Sequence, residues 1–133
     1  MGLTLLIKLR KFLVRKGKKK AKVEESIACT VALDDTELPF VFGANGRTEK
    51  YFPAVKQFSY VDKNHGTFAR NHIKDGYLYT NQGTHWTWLR KTFVFFKAKA
   101  LIETPLALSK GDQLVIINPD TSEELVLEII QAK

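Results

Sequence analysis

The fold of this chain is decided by residues 76–117, which read GYLYTNQGTHWTWLRKTFVFFKAKALIETPLALSKGDQLVII. Short runs of aromatic, aliphatic and β-branched residues recur at positions 77–80, 86–89, 94–96 and 113–117. This composition fits a pleated, half-buried surface. Turn-forming residues separate the runs at 81–84, 90–91, 105 and 110–112. The stretch therefore predicts a series of antiparallel β-strands.

Residues 92–102 show both faces of one predicted strand. Every second residue from position 94 to position 102 is apolar, whereas the alternate positions include Lys97 and Lys99. Such a strand covers a core with one face and meets water with the other. Further along, Gly111 and Asp112 separate two strand-like runs, a pattern that predicts a hairpin. Residues 27–33 and 38–42 flank a second turn, at 34–37, and predict another hairpin.

Length and composition favour one small domain. The chain has 133 residues, of which 44% are hydrophobic, enough for a single ordinary core. Cys29 is the only cysteine, so no intrachain disulfide forms, and a reducing compartment such as the cytoplasm is expected. In the middle of a predicted strand and without an activating base nearby, Cys29 is interpreted as an inert thiol.

The net charge of +7 is concentrated at the beginning of the chain. Residues 1–22 hold nine of the 21 Lys and Arg residues and no acidic residue. The rest of the chain therefore has 12 basic and 14 acidic residues. Leu5, Leu6, Leu9, Phe12 and Leu13 fall on one helical face, with basic residues on another. Residues 1–22 therefore predict a basic amphipathic helix and a lysine-rich linker. The predicted boundary separates them from a β-domain at 23–133, and a chain starting near residue 23 is expected to fold.

Two interpretations of the basic segment stay open. One is peripheral attachment to an anionic membrane or an acidic partner. The residues that would make this contact are Lys8, Lys11, Arg15, Lys18, Lys19 and Lys20. The other is a solvated linker, preceded by a helix that packs on its own domain or on a neighbour. Charges interrupt the apolar run every few residues, so a transmembrane helix is not expected.

Several motifs of the chain occur in the order found in the forkhead-associated (FHA) domain. Residues 40–43 (FVFG) and 61–68 (VDKNHGTF) are similar to its first two motifs, residues 81–89 (NQGTHWTWL) look like the third, and residues 108–116 (LSKGDQLVI) resemble the fourth. The resemblance covers about residues 27–130. It implies an all-β, FHA-like antiparallel β-sandwich that binds phosphothreonine peptides through loops at one end.

The resemblance also implies a binding site at that end. Asp62 stands where the family has a serine that donates a hydrogen bond to phosphate, and an ionised carboxylate only accepts. Lys63 keeps a basic position, and Arg47 replaces the family's loop arginine if the loop is longer. The implied ligand-binding residues are Arg47, Asp62, Lys63, Asn81, Thr84, Trp86 and Arg90. His65 matches a family histidine that braces the loops, and is carried over as structural.

Charge along the chain also suits an acidic or phosphorylated partner. Residues 47–99 hold ten Lys or Arg against three acidic residues, whereas the flanking segments 23–46 and 100–133 sum to −9. The alternative is that Lys56, Lys74, Lys97 and Lys99 are the solvated sides of strands. Both interpretations stay open.

Catalysis and metal binding find no support in the sequence. His65, His72 and His85, with Asp62 and Asp75, match no zinc spacing. No nucleophile elbow, phosphate loop or dinucleotide motif is present. We therefore expect no enzyme activity, metal or cofactor.

The expected function is a non-catalytic, cytoplasmic protein–protein interaction module that acts in signalling and is degenerate at its phosphothreonine-binding positions. The alternative is a small β-domain that binds single-stranded nucleic acid. Trp86 and Trp88 alternate on one strand beside basic residues and would stack on bases. That alternative ranks second because the body of the chain is not basic.

Overall fold

The computed structural model describes residues 2–14, 21–85, 87–91, 99–101 and 104–133. The described strands are β1 (Gly2–Val14), β2 (Ala21–Asp34), β3 (Phe40–Phe42), β4 (Gly66–Arg70), β5 (Tyr77–Asn81), β6 (Thr87–Arg90), β7 (Lys99–Leu101), β8 (Leu106–Leu108), β9 (Gln113–Ile117) and β10 (Glu124–Ala132). One short helix, α1 (Gly46–Glu49), follows β3, and single 3-10 turns occupy Asp35–Glu37 and Pro53–Gln57.

These strands form two antiparallel sheets, so the all-β, sandwich-like fold class is confirmed. One sheet has six strands in the order β2-β1-β10-β9-β6-β7, and the other has four in the order β3-β4-β5-β8. Alternate residues of both sheets fill one shared core. Its largest fully buried side chains are Leu3, Leu5, Ile7, Leu33, Phe40, Phe42, Phe68, Tyr79, Leu114, Ile116, Leu125 and Leu127.

The predicted N-terminal helix is wrong, because residues 2–14 are strand β1. This strand lies inside the six-stranded sheet, between β2 and β10. Leu3, Leu5 and Ile7 are completely buried on its inner face. The predicted domain boundary after residue 22 falls within β2. The basic segment therefore supplies an inner strand of the sheet.

Both predicted hairpins are also wrong, although the turns themselves are present. β2 and β3 lie in different sheets, and so do β8 and β9. At the second turn, Gly111 has a φ of 92°, which favours glycine, and Asp112 accepts a hydrogen bond from the backbone N–H of Ser109 at 2.9 Å. Each turn thus carries the chain from one sheet to the other. The predicted strand at 92–102 lies outside the described residues except for β7.

The outer face of the six-stranded sheet carries a ladder of opposite charges. Arg10 on β1 contacts Glu25 on β2 at 2.7 Å and Glu124 on β10 at 3.3 Å. Lys8 lies 3.3 Å from Glu25 and 3.2 Å from Glu128. The pKa of Glu25 is lowered, because the hydrogen bond from Arg10 and the charge of Lys8 outweigh its partial burial. These basic residues are therefore neutralised within the sheet.

Only part of β1 and β2 belongs to the sandwich. β10 pairs with β1 only from Leu3 to Arg10, whereas β2 pairs with β1 as far as Val14. Residues 11–14 and 21–24 therefore form a two-stranded ribbon that extends past the ends of the other strands of the six-stranded sheet. We call this ribbon the arm.

Candidate functional site

Three loops meet at one end of the sandwich, and backbone hydrogen bonds join them. The N–H of Ala44 donates to the carbonyl of Asp62 at 2.9 Å, and the N–H of His65 donates to the carbonyl of Phe42 at 2.8 Å. The carbonyl of His65 in turn accepts from the N–H of Gln82 at 2.9 Å. We call this region the loop end, defined by residues 43–45, 60–65 and 81–85.

Asp62 is the centre of the loop end. One carboxylate oxygen, Oδ2, accepts a hydrogen bond from the backbone N–H of His85 at 2.8 Å. The other, Oδ1, lies 2.8 Å from Nδ1 of His85 and accepts from the hydroxyl of Thr84 at 3.2 Å. Because an ionised carboxylate only accepts, Nδ1 of His85 carries the proton in this pair. Asp62 thus joins the loop at 60–65 to the loop at 81–85.

The surroundings of Asp62 favour its charged form. Partial burial raises the pKa of the carboxyl group, but the hydrogen bonds from the backbone and the ring of His85 outweigh it, so the pKa lies below its ordinary value. Gly83 completes the contact, since any side chain there would overlap the Asp62 carboxylate. The loop end therefore already holds an anion of its own.

His65 lies completely buried beneath this anion. Its Nδ1 accepts a hydrogen bond from the backbone N–H of Asp62 at 3.1 Å, so the proton of the neutral ring is on Nε2, which donates to the Thr87 hydroxyl at 3.0 Å. Burial lowers the pKa of His65 to about 4, although the charge of Asp62 opposes this shift. The structural role predicted for His65 agrees with these contacts.

The hydrogen bonds continue from His65 through buried side chains to the next loop. Thr87 donates to Oδ1 of Asn81 at 2.7 Å, and the Tyr79 hydroxyl donates to the same oxygen at 3.0 Å. The side-chain amide of Asn81 donates to the carbonyl of His85 at 3.2 Å. Asn81 is only 4% exposed, so this predicted ligand-binding residue supports the loops from below.

Lys63 is the predicted site residue that is open to a partner. Its side chain is exposed and forms no ion pair or hydrogen bond with any described residue. Its backbone carbonyl is held at 2.8 Å by the side-chain amide of Asn45, which also caps α1 through the N–H of Thr48. The position of Lys63 is thus fixed while its ammonium group stays available.

Two other predicted site residues have contacts away from the loop end. Arg47 donates to the carbonyls of Pro39 and Glu37, at 3.1 and 2.5 Å, and its guanidinium group lies 4.8 Å from the centre of the Phe40 ring. These groups precede or begin β3, whereas the loop end follows that strand. Arg90 lies on the outer face of β6, 3.3 Å from Gln113 and 3.6 Å from Glu124. The structure therefore brings together Asp62, Lys63, Asn81 and Thr84, without the two arginines.

The remaining predicted contacts are only partly described. Trp86 lies outside the described residues, and Trp88 is half-buried on the outer face of the six-stranded sheet, so the stacking platform for nucleic acid stays a prediction. Of the basic segment, Arg15, Lys18, Lys19 and Lys20 lie outside the described residues. Lys8 is only 15% exposed between two glutamates, whereas the side chain of Lys11 is 52% exposed.

His85 and Thr87 make hydrogen bonds that hold the loop end together, but no sequence pattern predicts either of them as a site residue. A threonine in a predicted strand and a histidine in a loop carry no motif of their own. The available signal was the inward position of Thr87, since alternation on β6 puts it on the core side, where a hydroxyl needs a partner. Every buried side-chain nitrogen and oxygen of the described residues has such a partner.

The described residues contain no group of three His, Cys, Asp or Glu side chains placed to hold a metal ion. In the same part of the chain, no helix has the length and apolar character needed to cross a bilayer. Comparison with known proteins found no matching family model, no matching curated protein and no matching solved structure.

Proposed function

We propose that this chain is a non-catalytic, FHA-like protein–protein interaction module whose loop end binds an acidic, unphosphorylated segment of a partner protein. The observation that carries the proposal is the internal anion at Asp62. Its carboxylate takes the hydrogen bonds of Thr84 and His85, which a bound phosphate would otherwise receive. A phosphate group, with a charge of about −1.5 to −2, would also be repelled by this carboxylate more strongly than the single charge of an Asp or Glu side chain.

Lys63 gives the proposed site its preference for acidic partners. It is the exposed cation next to Asp62, and its main chain is held in place by Asn45. An ammonium group is a point charge that attracts a carboxylate without requiring the planar geometry of a guanidinium contact. We place the module in a reducing compartment, the cytoplasm, where a signalling role fits a small binding domain.

The first prediction concerns replacement of Asp62. The native protein is expected to bind phosphothreonine peptides no better than their unphosphorylated forms. Asp62→Ser removes the repulsion and restores a hydroxyl donor, and hydrogen bonds to charged groups contribute roughly 1.5–3 kcal/mol, so phosphopeptide affinity should rise about ten-fold or more. Calorimetric titration with a phosphothreonine peptide library and its unphosphorylated counterpart measures the change.

Asp75→Ser is the matched control, because Asp75 is exposed in the loop between β4 and β5, at the opposite end of those strands, and no gain is expected there. Asp62→Asn separates charge from shape, since it keeps an acceptor oxygen in place. Lys63→Ala should weaken the binding of acidic, unphosphorylated peptides. Tight, phosphate-dependent binding by the native protein would overturn the proposal.

A further inference from the structure

The arm carries exposed apolar side chains next to basic residues. Phe12 on one strand and Val23 on the other face each other in the register, and they are 37% and 51% exposed. Ile27, 68% exposed, lies further down β2 opposite Lys8. These three account for all but one of the large exposed hydrophobic residues in the described part of the chain.

All three apolar residues belong to one face of the β1–β2 strand pair. Side chains two residues apart on a strand share a face, so Phe12 lies on the side of Arg10, and Val23 lies on the side of Glu25. Arg10 and Glu25 contact each other at 2.7 Å on the outer face of the sheet. Lys8 also reaches Glu25, at 3.3 Å, which puts Ile27 on that face as well. Phe12, Val23 and Ile27 therefore share the outer face of the sheet, and the Arg10–Glu25 ion pair lies between Ile27 and the arm.

The arm carries positive charge on its other face, because Lys11 is the residue next to Phe12 on the strand and therefore lies on the opposite side of the ribbon. Lys8 and Arg10 are paired with glutamates, but Lys11 is 52% exposed and reaches its nearest carboxylate, Glu123, only at 4.0 Å. By sequence, the arm strands contribute Lys11, Lys22 and one acid, Glu24, while the six residues that link them include five Lys or Arg. The arm strands and the six residues that link them thus hold, by sequence, seven Lys or Arg and one acidic residue.

The size of the arm argues against a protein as its partner. Four paired rungs at about 3.3 Å per residue and a ribbon roughly 10 Å wide give a face on the order of 130 Å². A stable protein interface buries about 800 Å² on each partner. A lipid bilayer needs no matching pocket, because apolar side chains enter the headgroup region while lysines extend to anionic lipids. The arm fits this use since it extends beyond the sheet.

We propose that the arm is a contact site for an anionic lipid surface. Phe12 and Val23 enter the interface from one face of the arm, and Lys11 extends from the other face to the lipid headgroups. Contacts at the base of the arm link it to the loop end: Glu123 accepts a hydrogen bond from the Tyr60 hydroxyl at 3.0 Å and lies 4.0 Å from the Lys11 ammonium group. Attachment through the arm therefore turns the loop end toward the membrane.

The second prediction tests this contact with the full chain. The protein should co-sediment with vesicles of phosphatidylcholine and phosphatidylserine at 3:1, and far less with phosphatidylcholine alone. Each basic residue near an anionic surface contributes a factor of about five, and salt screens it, so raising NaCl from about 0.1 to 0.5 M should release the protein. The double variant Phe12→Ala/Val23→Thr should bind about ten-fold more weakly because it removes apolar contact.

Ile73→Ala is the matched control, since Ile73 is 93% exposed in the loop between β4 and β5 and should leave vesicle binding unchanged. Circular dichroism checks that each variant is folded. Lys11→Gln is a second variant that acts through charge alone and should also weaken binding. Equal binding of the double variant and the native protein would overturn the proposal. The proposal would also be overturned if the protein bound polyglutamate as strongly as it binds the anionic vesicles, and if the Phe12 replacement did not change that binding. The partner would then be an acidic polymer.

Discussion

Deletion of residues 1–22 is expected to leave a chain that does not fold. The deletion removes β1, an inner strand of the six-stranded sheet, and with it the partner of both β2 and β10. Leu3, Leu5 and Ile7 are 0% exposed, and truncation of one such side chain to alanine costs about 2–5 kcal/mol. Loss of all three approaches the whole stability of a typical domain, about 5–15 kcal/mol.

Two point variants test the same strand in a milder form. Leu5→Ala should lower the free energy of unfolding by about 2–5 kcal/mol. Leu6→Ala is the matched control, because Leu6 is the next residue on the opposite, partly exposed face and should cost much less. Urea unfolding followed by far-ultraviolet circular dichroism measures both. A cooperative unfolding transition and an unchanged β-type spectrum for the truncated chain would show that β1 is dispensable.

The fourth prediction is that stability falls as the pH drops from about 6.5 to about 4. Burial lowers the pKa of His65 to about 4 in the folded chain, whereas an unfolded histidine titrates near 6.5. Between these values the unfolded chain binds more protons, so acid favours unfolding. Over the whole range from pH 6.5 to pH 4, the free energy of unfolding is expected to fall by on the order of 3 kcal/mol. The neighbouring Asp62 has a lowered pKa, so its stabilising contribution is lost only below the ordinary aspartate range.

His65→Asn isolates this contribution. Asparagine offers an oxygen to the N–H of Asp62 but does not titrate, so the variant should be less stable at pH 7 and much less sensitive to acid. His72→Asn is the control, because His72 is exposed in the loop between β4 and β5. Free energies of unfolding at pH 7, 6, 5 and 4.5 give the slopes. An equally steep loss of stability in His65→Asn would assign the pH dependence to another group.

The alternation of residues with a period of two predicted those strands whose own sequence favours a strand. β5, β6 and β9 lie at or within one residue of the predicted runs, because alternating aromatic and branched residues have few alternatives to a half-buried strand. Turn residues located the breaks but not the partners of the strands. The turn at Gly111 and Asp112 is compatible both with a hairpin and with a connection between the two sheets. Only tertiary packing decides between these two arrangements.

The N-terminal strand was missed because two periods overlap in it. Leu3, Leu5, Ile7 and Leu9 alternate as in a strand, while Leu5, Leu9, Phe12 and Leu13 also follow a helical spacing, and Leu, Lys and Arg favour helices. Pairing with β10, more than a hundred residues away, decides in favour of the strand. At the loop end, Asp62 and His65 are predicted from the motif resemblance, and the structure gives both of them hydrogen bonds between loops. Arg47 was not predictable because its guanidinium group binds main-chain carbonyls, which leave no trace in the sequence.

The pairing of β1 with β10 has a consequence for synthesis on the ribosome. Arg10 and Glu124 are neighbours in the sheet but 114 residues apart along the chain. At 5–20 residues per second, roughly 6–23 s separate the synthesis of these two strands. During that interval β1 can pair with β2, but β10 has not yet been synthesised and the core cannot close over the apolar inner face of β1. The nascent chain is therefore expected to depend on chaperones that cover Leu3, Leu5 and Ile7 until β10 emerges.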